Sequence, residues 1–157
     1  MTEHENADKA NVIVLPPLIY LGFFLVGVGL QYVWTIKLMP RVVQTGIGLG
    51  LVGLSFLITL LAIPEFHKMG TSIDVNKPAN ALITTGAYRF SRNPLYLALA
   101  IMHVGLAVLI DNFWAVLMVI PTLIVVTHSV IAREEAYLEM KFGENYRNYK
   151  AKVSRWL

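Results

Sequence analysis

The stretch LITTGAYRFSRNPLY, residues 82–96, lies between a long polar connection and an apolar run and concentrates arginine, asparagine and tyrosine in a few positions. Asparagine is a common helix N-cap, and proline at the first helical position loses no hydrogen bond. Asn93 followed by Pro94 therefore predicts that a helix begins at about Pro94. The free N–H groups at its start, next to Arg89 and Arg92, predict a binding position for an anionic group of a ligand.

The composition around this stretch is that of a membrane protein. Hydrophobic residues make up 56% of the 157 residues, charged residues only 15%, and the mean hydropathy is +0.59. These values are not those of a soluble domain. Crossing a bilayer takes roughly 20 helical residues. We therefore predict a single all-α domain over residues 1–157, an integral membrane bundle of four transmembrane helices at about 12–34, 42–63, 94–110 and 113–131.

The placement of lysine and arginine predicts the orientation of these spans. With four spans, the N-terminus, the connection 64–93 and the C-terminal segment share one side. That side carries all but two of the 13 Lys and Arg residues, the exceptions being Lys37 and Arg41. This bias places both termini and the ligand site in the cytoplasm. The pI of about 9.2 suits an anionic membrane surface, so we predict lipid contacts and no nucleic-acid partner.

Only Asp111 and Asn112 separate the third and fourth spans, which predicts a tight antiparallel hairpin of these two helices. The hairpin brings a second polar cluster towards the first. The expected facing positions are Glu134 with Arg89, and His128 with Leu95 or Tyr96. Beyond the hairpin, residues 132–156 have the pattern of an amphipathic cytoplasmic helix with an apolar, aromatic face, interrupted at Gly143.

Several ionisable residues are candidates for chemistry. Glu134 and Glu135 lie where the fourth span ends, and a carboxylate near a membrane is costly unless it is paired or functional. An ion-pair network with Arg89 and Arg92 and a functional role both fit this spacing. His103, well inside the third span, is interpreted as a packing residue. The residues Glu65, His67 and Lys68 are interpreted as solvated loop residues, and no metal site is predicted.

These residues resemble a known family. The stretch 82–96, followed after the hairpin by EEAYLEMKFGENYRNYKAKVSRW, is similar to the isoprenylcysteine carboxyl methyltransferase family, which is related to the phospholipid N-methyltransferases. The resemblance covers about the last 75 residues. It implies S-adenosylmethionine as cofactor, bound at the cytoplasmic end of the last two spans, and a lipophilic acceptor that arrives from the bilayer.

The resemblance also implies roles for individual residues. The implied cofactor-binding residues are Asn80, Ala81, Leu82, Ile83, Tyr88, Asn93, Pro94, Leu95, Tyr96 and Glu134. Arg92, beside the start of the third span, is added as a cofactor-binding candidate from its charge and position. An acceptor amine would have to lose a proton, whereas a carboxylate acceptor would not. The candidate catalytic residues for that proton are Glu134, Glu135 and His128. The acceptor atom, whether oxygen, nitrogen or sulfur, and the oligomeric state are left open.

The chain departs from the family pattern at two positions. Many members have histidine where Asn93 stands, and asparagine hydrogen-bonds but does not titrate. Enzymes of this family that act on prenylcysteine have an arginine for the substrate carboxylate at the position of Val130. The sequence therefore predicts that prenylcysteine is a poor acceptor.

Two other functions fit parts of the pattern. Certain membrane sterol reductases that use a nicotinamide cofactor have a similar C-terminal region with an Arg-x-Pro-x-x-Tyr element. This chain is short for their additional spans, and the pair Glu134 and Glu135 fits the methyltransferase pattern better. The third hypothesis is a non-catalytic membrane scaffold in which both polar clusters only anchor helix ends.

Overall fold

A computed structural model describes residues 14–74 and 77–157, and every regular element within these residues is helical. The elements are α1 (Pro16–Val33), α2 (Arg41–Lys68), a short 3₁₀ helix (Gly86–Arg89), α3 (Pro94–Leu109), α4 (Phe113–Val126), a π-helical turn (Thr127–Ile131), α5 (Ala132–Phe142) and α6 (Glu144–Lys152). The all-α prediction is confirmed, and α3 begins at Pro94 as the sequence predicts. The predicted span 12–34 begins outside the described residues.

Within residues 14–74 and 77–157, three helical segments are long and apolar enough to cross a membrane: Pro16–Val33, Arg41–Lys68 and Phe113–Phe142. The helix Pro94–Leu109 is apolar but has only 16 residues. At 1.5 Å per residue it is about 24 Å long, against a hydrocarbon core of about 30 Å. The membrane helices are thus confirmed, whereas four crossings and the antiparallel transmembrane hairpin stay predictions.

The end of α2 lies further along the chain than the sequence predicts. We expected the second span to end at residue 63, before Pro64, but the helix continues through Pro64 to Lys68. A proline inside a helix costs about 3 kcal/mol. The last turns of α2 bury Ala62 completely, and this apolar packing offsets part of the cost, whereas Glu65 in the same turns is a carboxylate with only 7% exposure. Glu65 is consequently a buried helical residue and not a solvated loop residue.

The described residues fall into two compact units, which we call the span unit (residues 14–57 and 96–126) and the motif unit (residues 58–95 and 127–157). In the span unit, glycine permits close helix packing. A Cβ at Gly27 of α1 would lie 2.4 Å from the Cα of Ala115 in α4. His103 is 3% exposed, and its Nε2 lies 2.9 Å from the carbonyl oxygen of Ala115. This environment is that of a packing residue, as the sequence analysis expects.

A short turn in the span unit connects α3 to α4. Asp111 has a positive φ of 53°, and the N–H of Asn112 donates to the Ala107 carbonyl oxygen at 2.9 Å. The side-chain oxygen of Asn112 accepts from the N–H of Ala115 at 2.8 Å, which is the geometry of a helix N-cap. The two residues that the sequence marks as the connection therefore both shape it.

The C-terminal part of the motif unit forms two helices. α5 ends at Phe142 and α6 starts at Glu144, with Gly143 between them at a φ of +53° that favours glycine. The predicted interruption at Gly143 is confirmed. Tyr146 and Tyr149, one helical turn apart, are 2% and 8% exposed, so one face of α6 is buried and aromatic.

Candidate functional site

The candidate site is built within the motif unit, and its first part is the connection that leads to the 3₁₀ helix. The N–H of Asn80 donates to the Thr71 hydroxyl at 2.9 Å, and its side-chain amide donates to the Gly70 carbonyl oxygen at 3.0 Å. The N–H of Ala79 donates to the Tyr137 hydroxyl at 3.0 Å. Hydrogen bonds thus hold the connection to the residues just after α2 and to α5.

Tyr88, in the 3₁₀ helix, is held by aromatic and hydrogen-bond contacts. Its ring packs edge-to-face on Phe66, with centroids 5.8 Å apart. Its carbonyl oxygen accepts from the Tyr149 hydroxyl at 2.6 Å. Burial raises the pKa of the Tyr88 hydroxyl well above its ordinary value, and the negative charge of Glu134 raises this pKa further. The phenol is therefore neutral near pH 7 and acts as a hydrogen-bonding group.

Arg92 lies at the centre of a buried ionic network. Its side chain is 9% exposed, and its Nη1 lies 3.0 Å from a carboxylate oxygen of Glu135, whose side chain is also 9% exposed. The same nitrogen donates to the Tyr146 hydroxyl at 3.4 Å. The Nε of Arg92 is buried and has no hydrogen-bond partner among residues 14–74 and 77–157. An acceptor oxygen of a ligand would satisfy this donor.

Arg155 completes the network from the C-terminal end of the chain. Its Nε and Nη2 donate to the two carboxylate oxygens of Glu135 at 3.0 and 2.6 Å, a bidentate pair. The hydrogen bond from Arg155 to Glu135 raises the pKa of the Arg155 guanidinium. In the same network, burial and the charge of Glu135 raise the pKa of the Tyr146 hydroxyl to about 12, although the charge of Arg92 opposes them.

The main chain of the C-terminal segment also holds the residues before α3. The N–H of Arg92 donates to the Ser154 carbonyl oxygen at 3.0 Å, and the Asn93 side-chain amide donates to the Arg155 carbonyl oxygen at 2.9 Å. The N–H of Asn93 donates to the Ser91 hydroxyl at 3.1 Å. We call Ser154 and Arg155 the C-terminal clamp, because they fix the chain where α3 begins.

The remaining predicted site residues lie in different surroundings. Glu134 is half-buried, and its charge acts on both Tyr88 and Tyr146. His128 is exposed in the π-helical turn. Tyr96 belongs to the span unit, where its carbonyl oxygen accepts from the Tyr20 hydroxyl at 2.9 Å.

The structure joins the two predicted polar clusters through Arg92 and Glu135. The sequence analysis placed Glu134 opposite Arg89, and Arg89 is exposed. It missed Arg155, Ser154 and Tyr146 as parts of the site. The helical spacing of Tyr146 and Tyr149 signals a buried face, but no local pattern signals the role of the C-terminal clamp.

The comparison with known families shows to which family the chain belongs. A family model described as phospholipid methyltransferase matches residues 43–145, which is more than half of the chain. The chain belongs to the phospholipid methyltransferase family. This confirms the family to which the two motifs pointed, and the matched region contains residues 82–96 and the pair Glu134 and Glu135. Together with the three long apolar helices, membership makes this a membrane protein of a methyltransferase family.

Two curated proteins are similar to part of the chain. An uncharacterized protein of Haemophilus influenzae is 46% identical over 63 residues, which is 40% of this chain and all of that protein. The protein-S-isoprenylcysteine O-methyltransferase of Schizosaccharomyces pombe is 36% identical over 72 residues, which is 46% of this chain. The match covers only 30% of that enzyme's length. No solved structure matches the chain.

The family match ends at residue 145, whereas Tyr146, Tyr149 and the C-terminal clamp lie beyond it. These residues nevertheless contact Tyr88, Arg92 and Asn93 inside the matched region. In this member of the phospholipid methyltransferase family, the candidate site is therefore in contact with residues beyond the matched region.

Proposed function

We propose that the chain is an S-adenosylmethionine-dependent membrane methyltransferase that methylates a lipophilic acceptor. The observation that carries this proposal is the buried Arg92, which is oriented by Glu135 and Tyr146 inside the region that matches the family and has an Nε donor left for a ligand. A bound carboxylate would satisfy that donor with a charge-assisted hydrogen bond.

The described residues fit the chemical groups of S-adenosylmethionine. Its carboxylate suits the Arg92 Nε and the start of α3, where residues before the helix are already fixed by the C-terminal clamp. Its hydroxyl and amino groups suit the Glu134 carboxylate as an acceptor. The neutral phenol of Tyr88 offers an aromatic surface with a polar end. When bound, the cofactor would supply an activated methyl group attached to a positively charged sulfur.

The protein residues would then bind and orient the cofactor and the acceptor and would exclude water, since methyl transfer to a positioned nucleophile requires little else. The two carboxylate oxygens of Glu135 bind Arg92 and Arg155. We therefore propose that Glu135 holds Arg92 in place. For an amine acceptor, Glu134 and His128 are the residues that we propose to take the proton. Asn80 contacts Gly70 and Thr71. We propose that the connection held by these contacts forms one wall of the cofactor site.

We propose that the acceptor is a lipid amine or another lipophilic nucleophile and not prenylcysteine. Val130, at the position that the resemblance gives to an arginine for the prenylcysteine carboxylate, is fully buried in the π-helical turn. An aliphatic side chain cannot bind a carboxylate through charge or hydrogen bonds. Position 130 therefore provides no recognition of an acidic acceptor.

Equilibrium binding separates the proposed function from its alternatives. We expect calorimetry on the purified protein in detergent to show micromolar binding of S-adenosylmethionine and no binding of NADPH, because the site offers Arg92 and Glu134 to an amino-acid head group. Binding of NADPH alone would favour the reductase, and binding of neither would favour the scaffold. The family comparisons favour neither alternative.

We further propose four crossings with both termini in the cytoplasm. The Arg92 to Glu135 ion pair supports this topology, because it joins a residue just before α3 to a residue that follows α4. If α4 crosses the membrane and α3 does not, these two side chains lie on opposite sides and cannot meet at 3.0 Å. A thinned bilayer or tilted neighbours accommodate a short helix at modest cost.

Cysteine labelling tests this topology, and the chain has no native cysteine to interfere. Thr35 and Asn148 are both exposed, and four crossings place them on opposite sides of the membrane. We expect an impermeant maleimide to label Thr35→Cys in intact spheroplasts and Asn148→Cys only after permeabilisation. Equal labelling of both variants before permeabilisation would contradict four crossings.

A further inference from the structure

Glu65, near the end of α2, forms contacts that the proposed function does not use. It is 7% exposed, and one of its carboxylate oxygens accepts a hydrogen bond from the Thr85 hydroxyl. The other accepts from Lys68 Nζ at 2.7 Å. Thr85 precedes the 3₁₀ helix, and its hydroxyl makes no capping hydrogen bond to that helix. The carboxylate therefore joins α2 to the residues that lead into Tyr88.

The absence of a side chain at Gly86 leaves room for the Glu65 side chain. Gly86 has a positive φ of 61°, and a Cβ at this position would lie 2.8 Å from the Glu65 Cγ. A glycine is thus required both for the backbone and for the close approach. Within the motif unit, Glu65 contacts the first turn of the 3₁₀ helix directly through Thr85 and Gly86.

The position of Glu65 is unfavourable without these contacts. A carboxylate in the last turn of a helix meets the negative end of the helix dipole, and burial adds a desolvation cost. The Lys68 side chain is 68% exposed, so its ion pair with Glu65 offsets little of this cost. The hydrogen bond from Thr85, which is part-buried, is a further contact that compensates for it.

The residue after Glu65 contacts the same helix. Phe66 packs edge-to-face on Tyr88, and Tyr149 holds the Tyr88 carbonyl oxygen at 2.6 Å. Glu65 and Phe66 together determine where the 3₁₀ helix begins and where the Tyr88 ring lies. A shift of this helix would move Tyr88 relative to Glu134, whose negative charge raises the pKa of the Tyr88 hydroxyl.

We propose that Glu65 is a positioning residue for cofactor binding, which acts through its hydrogen bond with Thr85 to place Tyr88. This inference rests on the proposed function, in which Tyr88 contacts S-adenosylmethionine. Glu65 itself does not touch the cofactor. The hydrogen bond to Thr85, and not the ion pair with the exposed Lys68, is what the site requires, because it is the contact that joins α2 to the residues before the 3₁₀ helix.

The test measures the Kd for S-adenosylmethionine in a set of variants of the full chain in detergent. We expect Glu65→Ala to weaken binding about tenfold, the effect of losing one hydrogen bond to a charged group. Glu65→Gln retains an acceptor for Thr85 and should bind within about threefold of the wild type. Lys68→Met, the matched control, should bind like the wild type.

A double-mutant cycle shows whether Glu65 acts through Thr85. Thr85→Val, a milder change that fills the same space, should weaken binding as much as Glu65→Ala, and the double variant should be no weaker than either. Unchanged affinity in Thr85→Val, or equal losses in Glu65→Gln and Glu65→Ala, would overturn the inference. Wild-type protein that does not bind the cofactor would instead overturn the proposed function, and the inference with it.

Discussion

Glu135→Ala should unfold at a markedly lower temperature than the wild type and lose binding of S-adenosylmethionine. The substitution removes the acceptor of both Arg92 and Arg155, and the Arg92 side chain is only 9% exposed. Removing one partner of a buried ion pair typically costs about 3–5 kcal/mol of folding free energy, because an uncompensated charge stays buried. Tryptophan fluorescence during heating in detergent measures the effect, since the chain has three tryptophans.

Glu139→Ala is the matched control for this prediction. Glu139 lies one helical turn after Glu135 in α5 and pairs with Lys150 at 3.2 Å, but these side chains are 36% and 42% exposed. An exposed pair contributes at most about 1 kcal/mol. Equal thermal stability of Glu135→Ala and Glu139→Ala would show that the network around Arg92 is not a stabilising element.

Local rules predicted the parts of the structure that local chemistry controls. Pro94 has no N–H to donate and begins α3, and Gly143 takes the positive φ that ends α5. The apolar stretches predicted the membrane helices because their length and hydropathy need no knowledge of neighbours. Pro64 shows the limit of such rules, since the helix continues through it to Lys68, with Ala62 fully buried just before it.

Those local rules do not predict contacts between residues that are far apart in the sequence. The hydrogen bond from Asn93 to the Arg155 carbonyl joins residues 62 positions apart, and no spacing or composition signals it. The sequence analysis expected an amphipathic helix with an apolar, aromatic face over residues 132–156 but named no partners for that face; Tyr146, Tyr149 and Arg155 contact the residues before α3. Finding these partners requires the packed chain, because carbonyl oxygens are present at every residue and carry no sequence signature.

The π-helical turn interrupts the regular helical register on which the predicted facing pairs depend. The expected register assumed a regular α-helix from residue 113 onwards, with about 100° of rotation per residue. The turn Thr127–Ile131 has wider i to i+5 hydrogen bonding, which changes the rotation of everything that follows. The observed ion pair of this region joins Glu135 to Arg92, just before α3.

Glu134→Gln should bind S-adenosylmethionine about tenfold or more weakly than the wild type while unfolding at nearly the same temperature. The amide has the shape of the carboxylate, so packing is retained, but the charge that strengthens hydrogen bonds to hydroxyl and amino groups is removed. Glu134 is half-buried beside Tyr88 and Tyr146, where lower solvent exposure strengthens such bonds. Calorimetric titration in detergent gives the Kd, and thermal unfolding gives the stability.

The contrast between the two adjacent glutamates is the strongest test of the site. Glu135 is saturated by two arginines, so its loss should lower stability and binding together, whereas loss of the Glu134 charge should lower binding alone. Glu144→Gln, which removes an exposed carboxylate at the start of α6, should leave the Kd unchanged. Unchanged affinity in Glu134→Gln would exclude Glu134 from the cofactor site, and the assignment of the acceptor proton would then pass to His128 alone.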